Sequence, residues 1–182
     1  MPPIVPPDGS AILRPLREED VAPYVQAFRD DPALGPLLGI EEDPDEERLR
    51  GRIARLPELM ADGRFAELAI GPRFAGSLTL HSVDWKNGRA EIGFFVVPAA
   101  RGQGLASAAI GDALAWAFGA LDLARVEMTT TPDNAAVAVL AERHGFTREG
   151  MLRARNLERG RRVDVVWFGL LRDEWVGASS RT

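Results

Sequence analysis

The sequence predicts a single mixed α/β domain, and three observations carry that prediction. Apolar runs with strand character precede and follow segments of helical spacing, so strands and helices belong to one sheet. At 182 residues the chain suits one domain with a sizeable core. An apolar strand, Ala90 to Val97, is stopped by Pro98 and turns tightly through Ala99-Ala100-Arg101-Gly102-Gln103-Gly104. A helix follows from Leu105 to about Leu121, with Ile110, Ala113, Leu114, Ala117, Phe118 and Leu121 on one face.

Residues 1–10 are Pro-rich and predict a loose arm, 11–176 the domain, and 177–182 a tail. Ala11 to Arg14 form a first strand. Glu18 to Arg29 form a helix whose apolar face is Val21, Tyr24, Val25 and Phe28. Asp31-Pro32 and Gly35-Pro36 predict a loop, Leu34 to Gly39 included. Asp43-Pro44-Asp45-Glu46 reads as a helix start capped by Asp43, and Pro57 should kink or end that helix. Phe65–Ile70 and Phe74–His81 make a hairpin, and Asn87-Gly88 turns the chain into the Ala90 strand. Arg125–Thr130 is a fifth strand. Pro132-Asp133-Asn134 opens a helix carrying Ala136, Val137, Val139 and Leu140 that stops at Gly145. Thr147–Arg155 and Arg162–Leu171 close the chain around the charged turn Glu158-Arg159-Gly160-Arg161.

Composition excludes several classes. There is no cysteine, hence no disulfide framework, thiolate metal site or cysteine nucleophile. The two histidines, His81 and His144, are far apart in sequence and suggest no zinc site. A net charge of −5 argues against non-specific nucleic-acid binding and is compatible with a cationic acceptor. No apolar stretch approaches the roughly 20 residues of a membrane span, and the first residues do not read as a signal peptide. A soluble cytoplasmic protein, monomer or homodimer, is expected.

The strand–turn–helix unit is the functional signal. Two glycines let the backbone bend and let a ligand approach closely. The first amides of the helix lack intrahelical partners, and its dipole adds positive charge there, which suits a pyrophosphate. Such turns also serve merely as connections. A P-loop would need Gly-Lys-Ser/Thr, and the dinucleotide fingerprint would need a third glycine where Ser107 stands. The turn instead spells R-x-x-G-x-A: Arg101, Gly104, Ala106.

With that motif after a proline-ended strand, the sequence resembles the GNAT N-acetyltransferases, in particular the RimJ/RimL-like branch of ribosomal-protein N-terminal acetyltransferases. The likeness runs from about Ile12 to Trp175. It implies a mostly antiparallel mixed sheet of about seven strands, splayed between strands 4 and 5 and flanked by about four helices. It implies acetyl-CoA as co-substrate and no metal. Carried over, the pyrophosphate contacts are Arg101, Gly102, Gln103, Gly104, Leu105 and Ala106, and the pantetheine runs beside Phe95, Val96 and Val97. Asn134 resembles the asparagine that contacts the pantetheine or orders a water, although asparagine is also an ordinary helix cap. Glu91 resembles the catalytic glutamate of the histone-acetylating members and is the candidate general base; a solvated strand end is its other reading. His81, Asp84 and Trp85 are candidate acceptor contacts, with a structural role open for His81. The acidic side chains aside, Arg153, Arg155, Arg159, Arg161 and Arg162 crowd the last hairpin, as a partner patch or a solvated face.

The family pattern is broken at two positions. A tyrosine seven residues after the asparagine is Ala141 here, and a serine three residues after it is Val137. No side chain then stands out to protonate the leaving thiolate. The resemblance implies direct acetyl transfer in a ternary complex to a primary amine, a protein N-terminus or a small molecule. The alternative is a catalytically degenerate acyl-CoA-binding or sensing protein.

Overall fold

The computed structural model describes residues 1–38, 40, 42–158 and 160–177. Gly39 of the expected loop, Arg159 of the basic hairpin and 178–182 of the expected tail lie outside them. The strands are β1 (Leu13–Pro15), β2 (Ala66–Ile70), β3 (Gly76–Asp84), β4 (Arg89–Val96), β5 (Arg125–Thr130), β6 (Thr147–Glu158) and β7 (Arg161–Leu171). The helices are α1 (Val21–Asp30), α2 (Leu34–Leu37), α3 (Glu46–Ala61), α4 (Leu105–Ala115) and α5 (Ala135–Arg143). One seven-stranded sheet runs β1-β2-β3-β4-β5-β7-β6, and only β4 and β5 pair in parallel. The expected mixed sheet is therefore present.

The join between β4 and β5 is short. It pairs Arg89 with Arg125, Ala90 with Val126 and Glu91 with Glu127, and there it stops. Beyond it β3 follows β4 as far as Gly76↔Val96, and β7 follows β5 as far as Thr130↔Val166. The two halves of the sheet thus part after Glu91. Alternate backbone groups of a strand point to opposite neighbours, so part of the polar edge of β4 after Glu91 faces the gap.

Each face of the sheet has its own core. On one face Ala90, Ile92 and Val96 pack with α4, whose predicted stripe from Ile110 to Leu121 is buried throughout. On the other, Phe95 packs with Val21, Tyr24, Val25 and Phe28 of α1 and Leu49 and Leu56 of α3. Tyr24 stacks on Phe28 at 5.6 Å and meets Phe95 edge-on at 5.2 Å. Such aromatic geometry stabilises by about 0.5–1.5 kcal/mol per pair beyond area burial. It also fixes the splayed strand from below.

Several local expectations are corrected. Asp45, not Asp43, caps α3 by accepting from the Arg48 amide at 2.8 Å. Pro57 does not end α3, which runs on to Ala61. Burial of Leu56 and Met60 on its inner face offsets the single hydrogen bond that proline forgoes. Leu34–Leu37 is one helical turn rather than loop. Its Pro36 lies within the first four residues, whose amides have no intrahelical acceptor in any case. After Ala115 the α4 helix widens into a π turn over Trp116–Ala120. The face read for α5 is only partly inward: Ala141 is fully buried, but Val139 is 63% exposed.

The N-terminal arm is docked rather than loose. Ile4 is 2% exposed and donates its amide to the Met60 carbonyl at 2.7 Å, while Trp116 Nε1 donates to the Val5 carbonyl at 2.7 Å. No helix among the described residues is long and apolar enough to cross a membrane.

Candidate active site

The gap between β4 and β5 opens into a cavity of about 680 Å³ lined from both faces of the sheet, by Tyr24, Phe65 and Phe95 on one and by Ile92, Val96 and Val137 on the other. Glu91 stands where the strands part. Its Cα partners are His81 on β3 and Glu127 on β5, and His81 lines the same cavity. Thr129, two residues beyond the last pair, donates its hydroxyl to Glu91 Oε1 across the opening. A carboxylate has about four acceptor sites. Thr129 is the one side-chain partner of Glu91 among the described residues, so capacity remains for a further donor.

Gly93 comes next on the Glu91 face. A Cβ there would meet Thr79 Oγ1 at 3.0 Å and His81 Nε2 at 3.4 Å. The missing side chain therefore lets the His81 ring and the Thr79 hydroxyl close over the backbone. His81 Nδ1 is 3.1 Å from Ser82 Oγ, which leaves Nε2 at the cavity. Of the other candidate acceptor contacts, neither Asp84 nor Trp85 lines the cavity. Asp84 holds the following turn through the Asn87 amide and side chain, and Trp85 Nε1 donates to the Gly63 carbonyl at 2.7 Å. Both are accounted for by structure.

The candidate cofactor residues divide. Phe95, Val96, Arg101 and Asn134 line the cavity, whereas Val97 and residues 102–106 lie outside its lining. Gly102 and Gly104 have φ of 75° and 77°, the left-handed region that a Cβ disfavours, and a Cβ at either would meet nothing within 4 Å. The loop is thus shaped by backbone need and stays open. The first bond of α4 runs from the Ala108 amide to the Gly104 carbonyl, which leaves the amides of Leu105, Ala106 and Ser107 ahead of the ladder. Arg101 is already engaged: Nε donates to the Val96 carbonyl at 3.1 Å, and the guanidinium pairs with Asp31. That pairing holds the Asp31 carboxyl below the usual carboxylate range. Asn134 caps α5 through Oδ1, which accepts from the Val137 amide at 3.4 Å, so its NH₂ is the group left for a ligand.

Sequence reasoning missed a second polar group in the cavity wall. Glu67 on β2 is 1% exposed, accepts from the Tyr24 hydroxyl at 3.0 Å and from Ser77 Oγ at 2.8 Å, and pairs with Arg52 at 2.6 Å. Burial, and then Glu67, push the Tyr24 hydroxyl well above its ordinary value. Ser77 is the register partner of Phe95, so this network braces the strand that carries the gap. A carboxylate inside the apolar run Ala66-Glu67-Leu68 was the signal that could have found Glu67. Thr129 and Asn156 were missed for want of any local signal, while Arg155, read only as one of a crowd of hairpin arginines, is the one of those described that lines the cavity.

The two broken family positions differ. Val137 lines the cavity, but Ala141 is 0% exposed inside the core on the α4 face. A tyrosine at 141 would have to displace that core before it reached any ligand.

Residues 11–147 match the family described as the acetyltransferase (GNAT) domain. A ribosomal N-acetyltransferase by name, YdaF of Bacillus subtilis strain 168, is 33% identical over 170 residues, covering 91% of this chain and 92% of that one. The N-acetyltransferase p20 of Bacillus licheniformis, itself uncharacterized, is 30% identical over 169 residues, covering 91% and 94%. Among solved structures, Mycobacterium smegmatis RimJ in complex with a CoA disulfide superposes with a TM-score of 0.82 at 25% identity, covering 96% of this chain and 91% of that one. A sheet that parts beside a glycine turn, and relatives that match it nearly end to end, place this chain in the GNAT acetyltransferase family, in its RimJ/RimL-like branch.

Proposed function

We propose that the protein is an acetyl-CoA-dependent N-acetyltransferase that transfers acetyl directly to a primary amine in a ternary complex. The observation that carries this reading is the parting of β4 from β5 at Glu91, beside one continuous cavity. The pantetheine arm, with its own amides, lies along the unpaired edge of β4 near Phe95, Val96 and Val97. The pyrophosphate sits on the amides of residues 102–106 with Arg101 at its edge, and the Asn134 amide reaches the arm from α5. The acceptor amine enters against Glu91 and His81.

Glu91 takes a proton from the amine, directly or through one water. The nitrogen lone pair then forms a bond to the thioester carbonyl carbon, and backbone amides of β4 bear the oxyanion. Collapse breaks the C–S bond; the nitrogen, cationic after the attack, gives its remaining extra proton to solvent, and solvent in turn supplies the proton that the CoA thiolate takes up. The products are an amide and CoA thiol. A protein amino terminus is the acceptor that the name of YdaF favours.

Thiol release from acetyl-CoA, measured over a panel of amines and amino-terminal peptides, tests the reading. Release with no member of the panel would leave the degenerate acyl-CoA-binding alternative. Acetyl-CoA should also raise the melting temperature, because a ligand that prefers the folded state stabilises it by mass action. Gly104→Asp should abolish that rise by setting a carboxylate against the pyrophosphate; unchanged affinity by calorimetry would remove the loop from the site.

A further inference from the structure

Three arginines line the cavity: Arg52, Arg101 and Arg155. Two are neutralised inside it, Arg52 by Glu67 and Arg101 by Asp31. Arg155 has neither an ion pair nor a hydrogen bond among the described residues, and Glu158, farther along the same strand, does not pair with it.

The position of Arg155 is built by the fold. β6 and β7 pair at Leu152↔Val165 and next at Asn156↔Val163. That is four steps along β6 (156 − 152) against two along β7 (165 − 163), so β6 carries two extra residues. Within this bulge Ala154 has φ of 52°, the left-handed region, which is costly for a residue with a Cβ. Asp164, opposite, accepts from the Ala154 amide at 2.7 Å and holds it there. Successive residues of a regular strand point to opposite faces. Here Arg155 and Asn156 both line the cavity, because a bulge re-aims side chains.

An unpaired guanidinium at a cavity repels a second ammonium and favours a carboxylate, with which it forms charge-assisted hydrogen bonds. Arg155 and Glu91 thus place opposite charges on the wall of one cavity, which Glu158 also lines. We propose that Arg155 selects acceptors that carry a carboxylate close to the reacting amine. The carboxylate comes from the main chain of a free amino acid or from an acidic side chain beside a peptide amino terminus. This rests on the acetyl-transfer reading above and names the acceptor chemistry for it.

The test measures acceptor binding to the CoA-loaded protein by calorimetry, so it does not depend on turnover. One pair of probes is leucine against leucinamide. The other is a pair of C-terminally amidated pentapeptides that differ only by Glu or Gln at the second residue. The acid member of at least one pair should bind about tenfold more tightly, in keeping with a charge-assisted bond. The pair that shows the preference identifies the source of the carboxylate. Arg155→Gln should erase the preference, and Arg155→Lys should keep part of it. Asp164→Ala should weaken it by loosening the bulge while the arginine stays, and none of the three should change CoA affinity. Equal binding within both pairs, a preference that survives Arg155→Gln, or tighter binding of spermidine than of any acid probe would overturn the proposal. Failure of the transferase reading shows separately, as absence of thiol release with every amine.

Discussion

Glu91 and Glu127 are neighbours in register on adjacent strands, yet the sheet treats them in opposite ways. Glu127 belongs to the closed end of the β4–β5 join. Its side chain is 7% exposed and meets Arg89 at 3.1 Å and Arg125 at 2.8 Å. Arg125 in turn grips Glu149 of β6 at 2.8 Å and 2.5 Å, which raises the arginine and lowers the Glu149 carboxyl from their ordinary values. Glu91, one strand over, has a hydroxyl on one oxygen and a cavity beside it. A carboxylate saturated by two guanidiniums clamps strands together. One with spare acceptor capacity at a gap can receive a proton.

The sharpest way to break this contrast is to remove each carboxylate in turn. Glu91→Gln should lower turnover by at least about 10²-fold near neutral pH, the usual contribution of a general base, and leave acetyl-CoA affinity nearly unchanged. Raising the pH should recover part of the loss, since more of the acceptor is then already neutral. Near-normal rates across the pH range would make Glu91 a structural residue.

Glu127→Ala should act on stability instead. It takes one partner each from Arg89, which keeps Asp84 at 3.5 Å, and Arg125, which keeps Glu149, and both arginines are partly exposed, so the roughly 3–5 kcal/mol of a fully buried broken pair is discounted to about 2 kcal/mol. For a domain of this size that is a fall in melting temperature of roughly 4–8 °C. Turnover per folded molecule should change far less than in Glu91→Gln. If the two variants lose activity equally, the closed and open ends do not divide clamp from catalyst.

Ala141→Tyr addresses the missing acid. The position is sealed in the α4-face core, so the substitution should cost about 1–3 kcal/mol from overpacking and should not raise turnover. A rise in turnover would show that the ring finds a path to the thiolate. Val137, which lines the cavity, is the better site for a serine.

The same contrast explains what could be read from the sequence. The stripes of α1 and α4 were legible because apolar side chains at helical spacing have one reason to exist. The tight turn after β4 was legible from Gly102 and Gly104, because its left-handed backbone constrains the residue type there. The turn of α2 was hidden by Gly35-Pro36, which break a helix in its interior but not in its first turn. Glu91 was singled out by its resemblance to the family's glutamate; Glu67 and Glu127 carried no such signal, and only the folded chain shows the guanidinium partners that occupy them. The bulge at Ala154 was invisible: neither Arg153, Ala154 nor Arg155 is a residue that announces a left-handed conformation, and Asp164 lies on another strand.

The smallest predicted effect concerns Arg101 and how far it is free to serve a cofactor. Its guanidinium is held by Asp31 at the end of α1, and Asp31 also accepts from the Ala33 amide at 3.1 Å, just before α2. If Arg101 turns to the pyrophosphate, that pair must loosen, so Asp31 competes with the cofactor. The pair is partly exposed, and such pairs contribute roughly 0.2–1 kcal/mol. Asp31→Asn should then tighten acetyl-CoA binding by about two- to fivefold. The pH dependence follows from the depressed Asp31 carboxyl, whose main cause is the Arg101 contact. A folded-state value below the unfolded one means that the stability from the pair is present above the unfolded value. It is lost only as pH falls through the folded one. Asp31 therefore stays ionised from about pH 6 to 8, well above an ordinary aspartate. The ratio of wild-type to variant affinity should be flat across that range. A ratio of one at neutral pH would show that Arg101 keeps its bond to Asp31 when the cofactor binds, and the helix amides alone would then hold the pyrophosphate.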